Sequence, residues 1–449
     1  MVRLRPLRRK LLRDLWAARG QALAIGLVVA AGVSMFTAYL SNFDSLRRTE
    51  QAFYQRQRFA DLFTRLSRAP RSVERDLAAI PGVATVETRV VLDALLDVPR
   101  LPEWEATPTA RRLAESIAFE AEVSALVERP TVDWVRVAAL KRWIVGELAR
   151  TFFHREGSRR EAFEKFAEGH PHLEHYAAFR AVGDRRGDTW QAWPERLKQG
   201  TLLPSDYDED SRRYHLFVQW ALSDQLGNLA REARRTGPGL YLDLPLGVHA
   251  SAFDVWRERA IFANGASAGA PPDALFQKGQ SWGFPPHHPE RLRESGYAYL
   301  IACLRHHMRA AGILRLDHVM QLHRLYWVPD GCEATDGAYV TYPADELYAI
   351  LCLESHRHRT ALVGENLGTV PPEVYERLEG HGILGLYVAQ YEFRPEQDEI
   401  LREPPEPVAA SLNTHDMPPF AAFWDGSDLD DLEALGALGA DEAADLKLA

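Results

Sequence analysis

Leu314-Arg315-Leu316-Asp317-His318-Val319-Met320-Gln321-Leu322-His323-Arg324 is the stretch around which this chain is read. A short apolar lead-in, Gly312-Ile313-Leu314, predicts a buried parallel strand. Arg315, Asp317 and His318 then fall together at the strand's C-terminal end. Arg315 and Asp317 are two apart, so on a strand they point to the same side. A cation beside a carboxylate favours its charged form. An ionised carboxylate there suits a nucleophile; a plain strand-end ion pair is the competing reading.

Two further acids weigh against the plain reading. Ala361-Leu362-Val363-Gly364 is another short apolar run, and it ends on Glu365-Asn366-Leu367-Gly368. Val408–Asn413 is a third, followed by Thr414-His415-Asp416. The three acids lie about 50 residues apart. That spacing fits successive strand–helix units of an α/β chain of the (β/α)8 TIM-barrel type, whose active site gathers at strand C-termini. Hydrolysis or transfer at a glycosidic bond needs two carboxylates, a nucleophile and an acid that then acts as base. A third can stabilise the charged transition state.

On these words the chain resembles the 4-alpha-glucanotransferases (the amylomaltase or disproportionating-enzyme family) of the α-amylase clan. The matching words, in the family's order, are Leu242-Asp243-Leu244-Pro245, Ala270-Pro271-Pro272-Asp273, Gly279-Gln280-Ser281-Trp282-Gly283-Phe284-Pro285, Arg315-Leu316-Asp317-His318, Gly364–Gly368 and Asn413-Thr414-His415-Asp416. They cover roughly residues 100–430. The resemblance implies retaining transfer of α-1,4-glucan segments, with maltodextrin as donor and a glucan or glucose as acceptor. It implies Asp317 as nucleophile, Glu365 as acid/base and Asp416 as the stabilising third acid. Arg315, His318 and His415 fall beside them. Asp243 ends a strand near the sugar, where a strand-end cap is an equal reading. Trp282 offers a flat face to a glucose ring and one N–H donor. The family often has Asn where Phe284 stands, so a polar contact from that position is not implied for this chain. No cofactor and no catalytic metal are implied. His306, His307, His323, His356 and His358 show no third ligand beside an i, i+4 pair.

The chain's 449 residues are 46% hydrophobic, ample for a large core. The net charge of −10 is uneven. Arg3, Arg5, Arg8, Arg9, Lys10, Arg13 and Arg19 make the start basic and leave the rest acidic, which argues against a nucleic-acid partner. The uncharged run Ala22–Leu40 follows that basic start. It is long enough to span a membrane, with the N-terminus cytoplasmic by the positive-inside rule. The glucanotransferase family itself is cytoplasmic or plastidial. A cleaved signal peptide and a buried core helix are the competing readings.

Residues 1–100 carry a second resemblance. Leu11-Leu12-Arg13-Asp14-Leu15-Trp16, Gly20–Ile25, the uncharged run and Ile80-Pro81-Gly82-Val83-Ala84 look like the start of an ABC-transporter permease. A junction is expected near Arg100. The division predicted is 1–100 permease-like, 101–235 helical, 236–430 barrel strands three to seven, and 431–449 an acidic tail. No Ser-Pro-Tyr loop of the family's second strand is found, so an incomplete barrel is expected. An inactive glucan-binding remnant is the alternative to an active transferase.

Elements are predicted as follows. Ala110–Leu126, Val132–Phe153, His175–Val182 and Leu216–Ala233 are helical. Trp190, Trp193 and Pro194 lie in a loop, where packing between helices is the first reading and stacking on sugar rings the competing one. Leu240–Leu244 is a strand. Phe262–Pro286 is a long loop, and the resemblance implies that it covers the active-site cleft. Arg291–Met308 and Pro343–Glu354 are helices, and Tyr326–Pro329 belongs to a connection between them. Ile383–Phe393 and Val408–Asn413 are strands six and seven. Cys303, Cys332 and Cys352 lack CxxC spacing and read as free thiols.

Overall fold

The computed structural model describes residues 96–129, 133–272, 278–394 and 400–434. The expected membrane span at 22–40, almost all of the permease-like segment and most of the acidic tail lie outside the described residues. Among the described residues no helix is long and apolar enough to cross a membrane. The three cysteines are free thiols.

The described strands are β1 Leu240–Leu244, β2 Ala266–Ala270, β3 Gln280–Ser281, β4 Ala311–Leu316, β5 Arg324–Pro329, β6 Ala338–Thr341, β7 Ala361–Gly364, β8 Gly385–Val388 and β9 Val408–Ser411. β1, β4 and β7 form a parallel sheet in that order, and β8 and β9 form a parallel pair. A parallel bridge from Val363 to Leu384 joins the two. Gly364 N–H donates to Leu384 O at 2.8 Å, and Leu384 N–H donates to Leu362 O at 3.0 Å. The five strands thus follow one another in chain order. Helices Ala298–Met308, Ala344–His358 and Pro372–Gly380 lie in the connections before β4, β7 and β8. This is the repeating unit of a TIM-barrel-type sheet. The five are the strands expected as three to seven.

β4 is paired on both edges, with β1 and β7, and most of its residues are apolar. Ala311, Leu314 and Leu316 are buried against Leu304, Met308, Leu347 and Leu351 of the flanking helices and Leu362 of β7. Gly312 lets β1's lead-in pass: a Cβ there would lie 1.8 Å from Pro238 O.

Residues 96–236 are mostly helical. Helices Trp134–Phe153, Leu173–Arg186 and Glu209–Thr236 supply its core, with Phe152, Phe163, Phe217 and Trp220 at its centre. Leu96 and Val98 are buried in that same core with Leu101, so this packing reaches upstream of Arg100. Gln225 ties the chain there, accepting from Asp97 N–H at 3.0 Å and donating to Asp97 O at 2.8 Å. Trp193 packs with Phe179, Val182, Leu197 and Trp256.

Several elements differ from expectation. Phe262–Pro286 is not an irregular loop throughout: it contributes β2 and β3 to a four-stranded sheet, order β3-β2-β5-β6. Tyr326–Pro329 lies in β5 of that sheet, not in a connection. The apolar periodicity of Arg291–Met308 is broken into helices Pro289–Glu294 and Ala298–Met308. Gly296 and Tyr297 have φ of 63° and 58° there. Tyr297 N–H donates to Leu292 O and Gly296 N–H to Arg293 O, both at 2.9 Å, which closes the first helix. Ala110–Leu126 is likewise split, because Ser116 caps a new helix by accepting from Phe119 N–H at 3.3 Å. The strand expected over Ile383–Phe393 stops at Val388; Ala389–Glu392 is a helical turn.

Candidate active site

Parallel register places the site. Asp243 on β1 sits beside Arg315 on β4, and Arg315 sits beside Val363 on β7. Asp317 and Glu365 each follow the last residue of their strand. Glu365 N–H donates to Leu316 O at 2.9 Å, and Asp317 N–H to Leu244 O at 3.1 Å. Asp317 and Glu365 therefore stand at one level just past two neighbouring strands, and Asp243 lies two register positions lower, near the end of the third.

Arg315 organises one half of the site. Its side chain is 7% exposed. Nη1 donates to Asp243 Oδ1 at 2.9 Å, to Asp243 Oδ2 at 2.8 Å and to Asp317 Oδ1 at 2.8 Å. Nη2 lies 3.9 Å from Asp416 Oδ2. Burial alone would lower the guanidinium; its bonds and attraction to Asp243 and Asp317 outweigh that and raise it. His415 Nε2 lies 3.6 Å from Asp243 Oδ2 and 3.5 Å from Asp416 Oδ2. Asp416 and His415 are both exposed.

Glu365 belongs to the other half and is 8% exposed. Two backbone N–H groups hold its carboxylate: His318 donates to Oε2 at 2.8 Å and Leu367 to Oε1 at 2.7 Å. His318 reaches it because its backbone is left-handed, with φ of 45°. Burial pushes the Glu365 carboxyl above the usual range, and the nearby charge of Asp317 adds to this. The two N–H bonds and Arg315 offset it only in part. Burial holds the His318 imidazole down at about 4, against the pull of Asp317.

A cleft of about 290 Å³ opens over these groups. Asp317, His318 and Glu365 line it from the strand ends, and Trp282 and Phe284 line it from the side. Pro245, Leu246 and Gly247 complete it. Trp282 meets His318 edge-on at 5.3 Å between ring centres and stacks on Phe284 at 6.2 Å. Its N–H donates to Gln280 Oε1 at 3.2 Å. Asp243, Arg315, His415 and Asp416 form a charged cluster joined to Asp317 through Arg315 and are not among the residues that line the cleft.

The structure adds groups that reading the chain did not pick out. Leu367 contributes only its N–H. Gln321 Nε2 donates to Asp317 O at 2.9 Å and holds the turn that carries the acid. Leu246 and Gly247 line the cleft directly after the Leu242–Pro245 word, whose match was the available signal. Nothing in the sequence marks Gln321.

Residues 89–447 match the family model described as 4-alpha-glucanotransferase. The chain belongs to the 4-alpha-glucanotransferase family. It is 33% identical over 372 residues to the 4-alpha-glucanotransferase of Haemophilus influenzae, covering 76% of this chain and 52% of that protein. It is also 33% identical over 369 residues to the Mycobacterium tuberculosis 4-alpha-glucanotransferase, covering 78% and 49%. Among solved structures, the amylomaltase of Corynebacterium glutamicum superposes with a TM-score of 0.64 at 32% identity, over 78% of this chain and 49% of that one. An amylomaltase from Streptococcus agalactiae, solved with acarbose, superposes at 0.57 and 22% identity, over 64% and 60%, a likeness of fold. The chain spans about half the length of the first two 4-alpha-glucanotransferases.

Proposed function

We propose that this chain transfers α-1,4-glucan segments with retention at the anomeric carbon. The observation that carries this reading is the unequal setting of two neighbouring carboxylates. Asp317 is bonded to a guanidinium, and Glu365 is buried with its pKa raised. Retaining glycoside chemistry needs that division of labour.

Asp317 attacks the anomeric carbon and forms a glycosyl ester. Glu365 gives its proton to the departing 4-oxygen. The non-reducing end of an acceptor glucan, or glucose, then enters. Its 4-hydroxyl loses a proton to Glu365 and attacks the same carbon, releasing Asp317. Asp416 holds the sugar and favours the oxocarbenium-like state, and His415 and His318 hydrogen-bond it. Arg315, held by Asp243, keeps Asp317 ready as a carboxylate. Trp282 gives the ring a flat apolar face. By narrowing the cleft, the Trp282–Phe284 wall favours a sugar hydroxyl over water.

The test is incubation of the full chain with maltotriose, with products separated by size. Longer maltodextrins appearing beside glucose and maltose support transfer. Shorter sugars alone mean hydrolysis. Binding without turnover means a glucan-binding remnant.

Residues 22–40, with their basic flank, support a further part of the reading: attachment to a membrane, with the N-terminus cytoplasmic. The resemblance of residues 1–100 to the start of an ABC-transporter permease is in keeping with it. Full-length protein should then sediment with membranes and resist carbonate extraction; recovery in the soluble fraction overturns this part alone.

A further inference from the structure

A second cavity, of about 400 Å³, lies behind the wall that bears Trp282. It falls within the size range of small-ligand sites, about 300–1,000 Å³. The wall runs antiparallel to β2. Ser281 pairs with Gly269, Trp282 N–H donates to Ala268 O at 2.9 Å, and Ala268 N–H donates to Phe284 O at 2.9 Å. Alternate residues of an extended segment face opposite ways. Trp282 accordingly lines the catalytic cleft, while Ser281 and Gly283 line the second cavity. Phe284 borders both.

The opposite walls come from distant parts of the chain. Trp190 is half-buried, and its indole N–H donates to Ala250 O at 3.0 Å, which fixes the ring in the lining. Asn264 donates from Nδ2 to Arg259 O at 3.2 Å, leaving its Oδ1 as an acceptor. Asp330 and Cys332 stand on the turn after β5 and are exposed. Among the described residues no hydrogen bond or ion pair engages the Asp330 carboxylate.

Two aromatic rings, a carboxylate, an amide oxygen and a hydroxyl select for a particular chemistry. The rings take the C–H faces of a pyranose. The carboxylate and amide oxygens accept from sugar hydroxyls. Among the described residues no cation lines the cavity, so an anionic ligand is opposed by Asp330. A purely apolar ligand would use neither the carboxylate nor the amide oxygen. We propose that this cavity is a second oligosaccharide site, separate from the catalytic cleft. That its sugar is an α-glucan rests on the reading above.

The experiment is titration calorimetry of the full chain carrying Glu365→Gln, which stops turnover, with maltotriose as the probe. Two molecules should bind. Adding Asn264→Ala and Asp330→Ala should leave one, and adding Trp282→Ala instead should remove the other. A single binding event, or two that survive Asn264→Ala with Asp330→Ala, overturns the proposal. A second measurement leaves the lining intact apart from one thiol. An environment-sensitive fluorophore on exposed Cys332, in the Glu365→Gln, Trp282→Ala background, should respond to maltotriose; no response overturns the site. Maltotriose disproportionation by the unsubstituted chain tests the catalytic reading separately. Two binding events without turnover sink that reading and leave this one standing. Normal turnover with one binding event does the reverse.

Discussion

Arg315 Nη1 lies 2.9 and 2.8 Å from the two oxygens of Asp243. The same nitrogen reaches Asp317. Asp243 therefore positions the group that positions the proposed nucleophile. Asp243→Asn keeps the shape and removes the charge. The expected result is a kcat lower by about 100-fold, the scale of an ångström-level misplacement. KM for maltotriose should change much less. A variant whose KM rises while kcat holds would make Asp243 a sugar contact instead.

Asp317→Asn and Glu365→Gln should each remove turnover by about 10²–10⁴-fold or more, the scale of one acid–base or nucleophilic group. Maltotriose should still bind. Initial rates of disproportionation check this. Near-normal turnover by Glu365→Gln would strip that residue of its role.

Glu365 holds its proton more tightly than an ordinary carboxyl, because burial disfavours its charge. It acts first as an acid, so the activity lost on raising pH should fall above the ordinary glutamate value of about 4.3. The pH profile of kcat/KM for maltotriose measures it. The stability sign follows from the same shift. Above about 4.3, up to the raised value, the native chain binds the proton and the unfolded chain has lost it, so this group's contribution falls as pH rises. A basic limb at the ordinary glutamate value would contradict the assignment.

His318 has the opposite sign. Burial takes it down to about 4, whereas an unfolded histidine titrates near about 6.5. Between those values the unfolded chain binds more protons, and stability rises with pH. His318→Asn removes the titration and tolerates the left-handed backbone at φ 45°. The variant's melting temperature should gain on the parent's as pH falls through that window. A constant difference across the window would show that His318 is not held neutral.

Gly247 lies under the cleft's aromatic wall. A Cβ there would come within 2.4 Å of the Phe284 ring. Gly247→Ala should displace Phe284, and with it the stacked Trp282, at a cost of about 1–3 kcal/mol for overpacking. A lower melting temperature together with a raised KM for maltotriose is expected. An unchanged KM would mean that Trp282 keeps its place without Phe284.

Much of this site could be read along the chain. Short apolar runs ending on Asp243, Asp317 and Glu365 are local patterns, because a strand's burial is written in consecutive residues. The strand order and the family followed from those words. What the tertiary structure decided depends on partners far apart in sequence. Arg315 chooses Asp243, 72 residues away, because parallel register sets them side by side. His318 turns left-handed and offers its N–H to Glu365, 47 residues on. Phe262–Pro286 is glycine- and proline-rich and reads as loop, yet part of it forms strands because β5 supplies its hydrogen bonds. The asymmetry of Asp317 and Glu365 is in part of the same kind. Each is an acid after an apolar strand; the guanidinium beside Asp317 stands two residues away in the chain, whereas only the packing of distant segments buries Glu365.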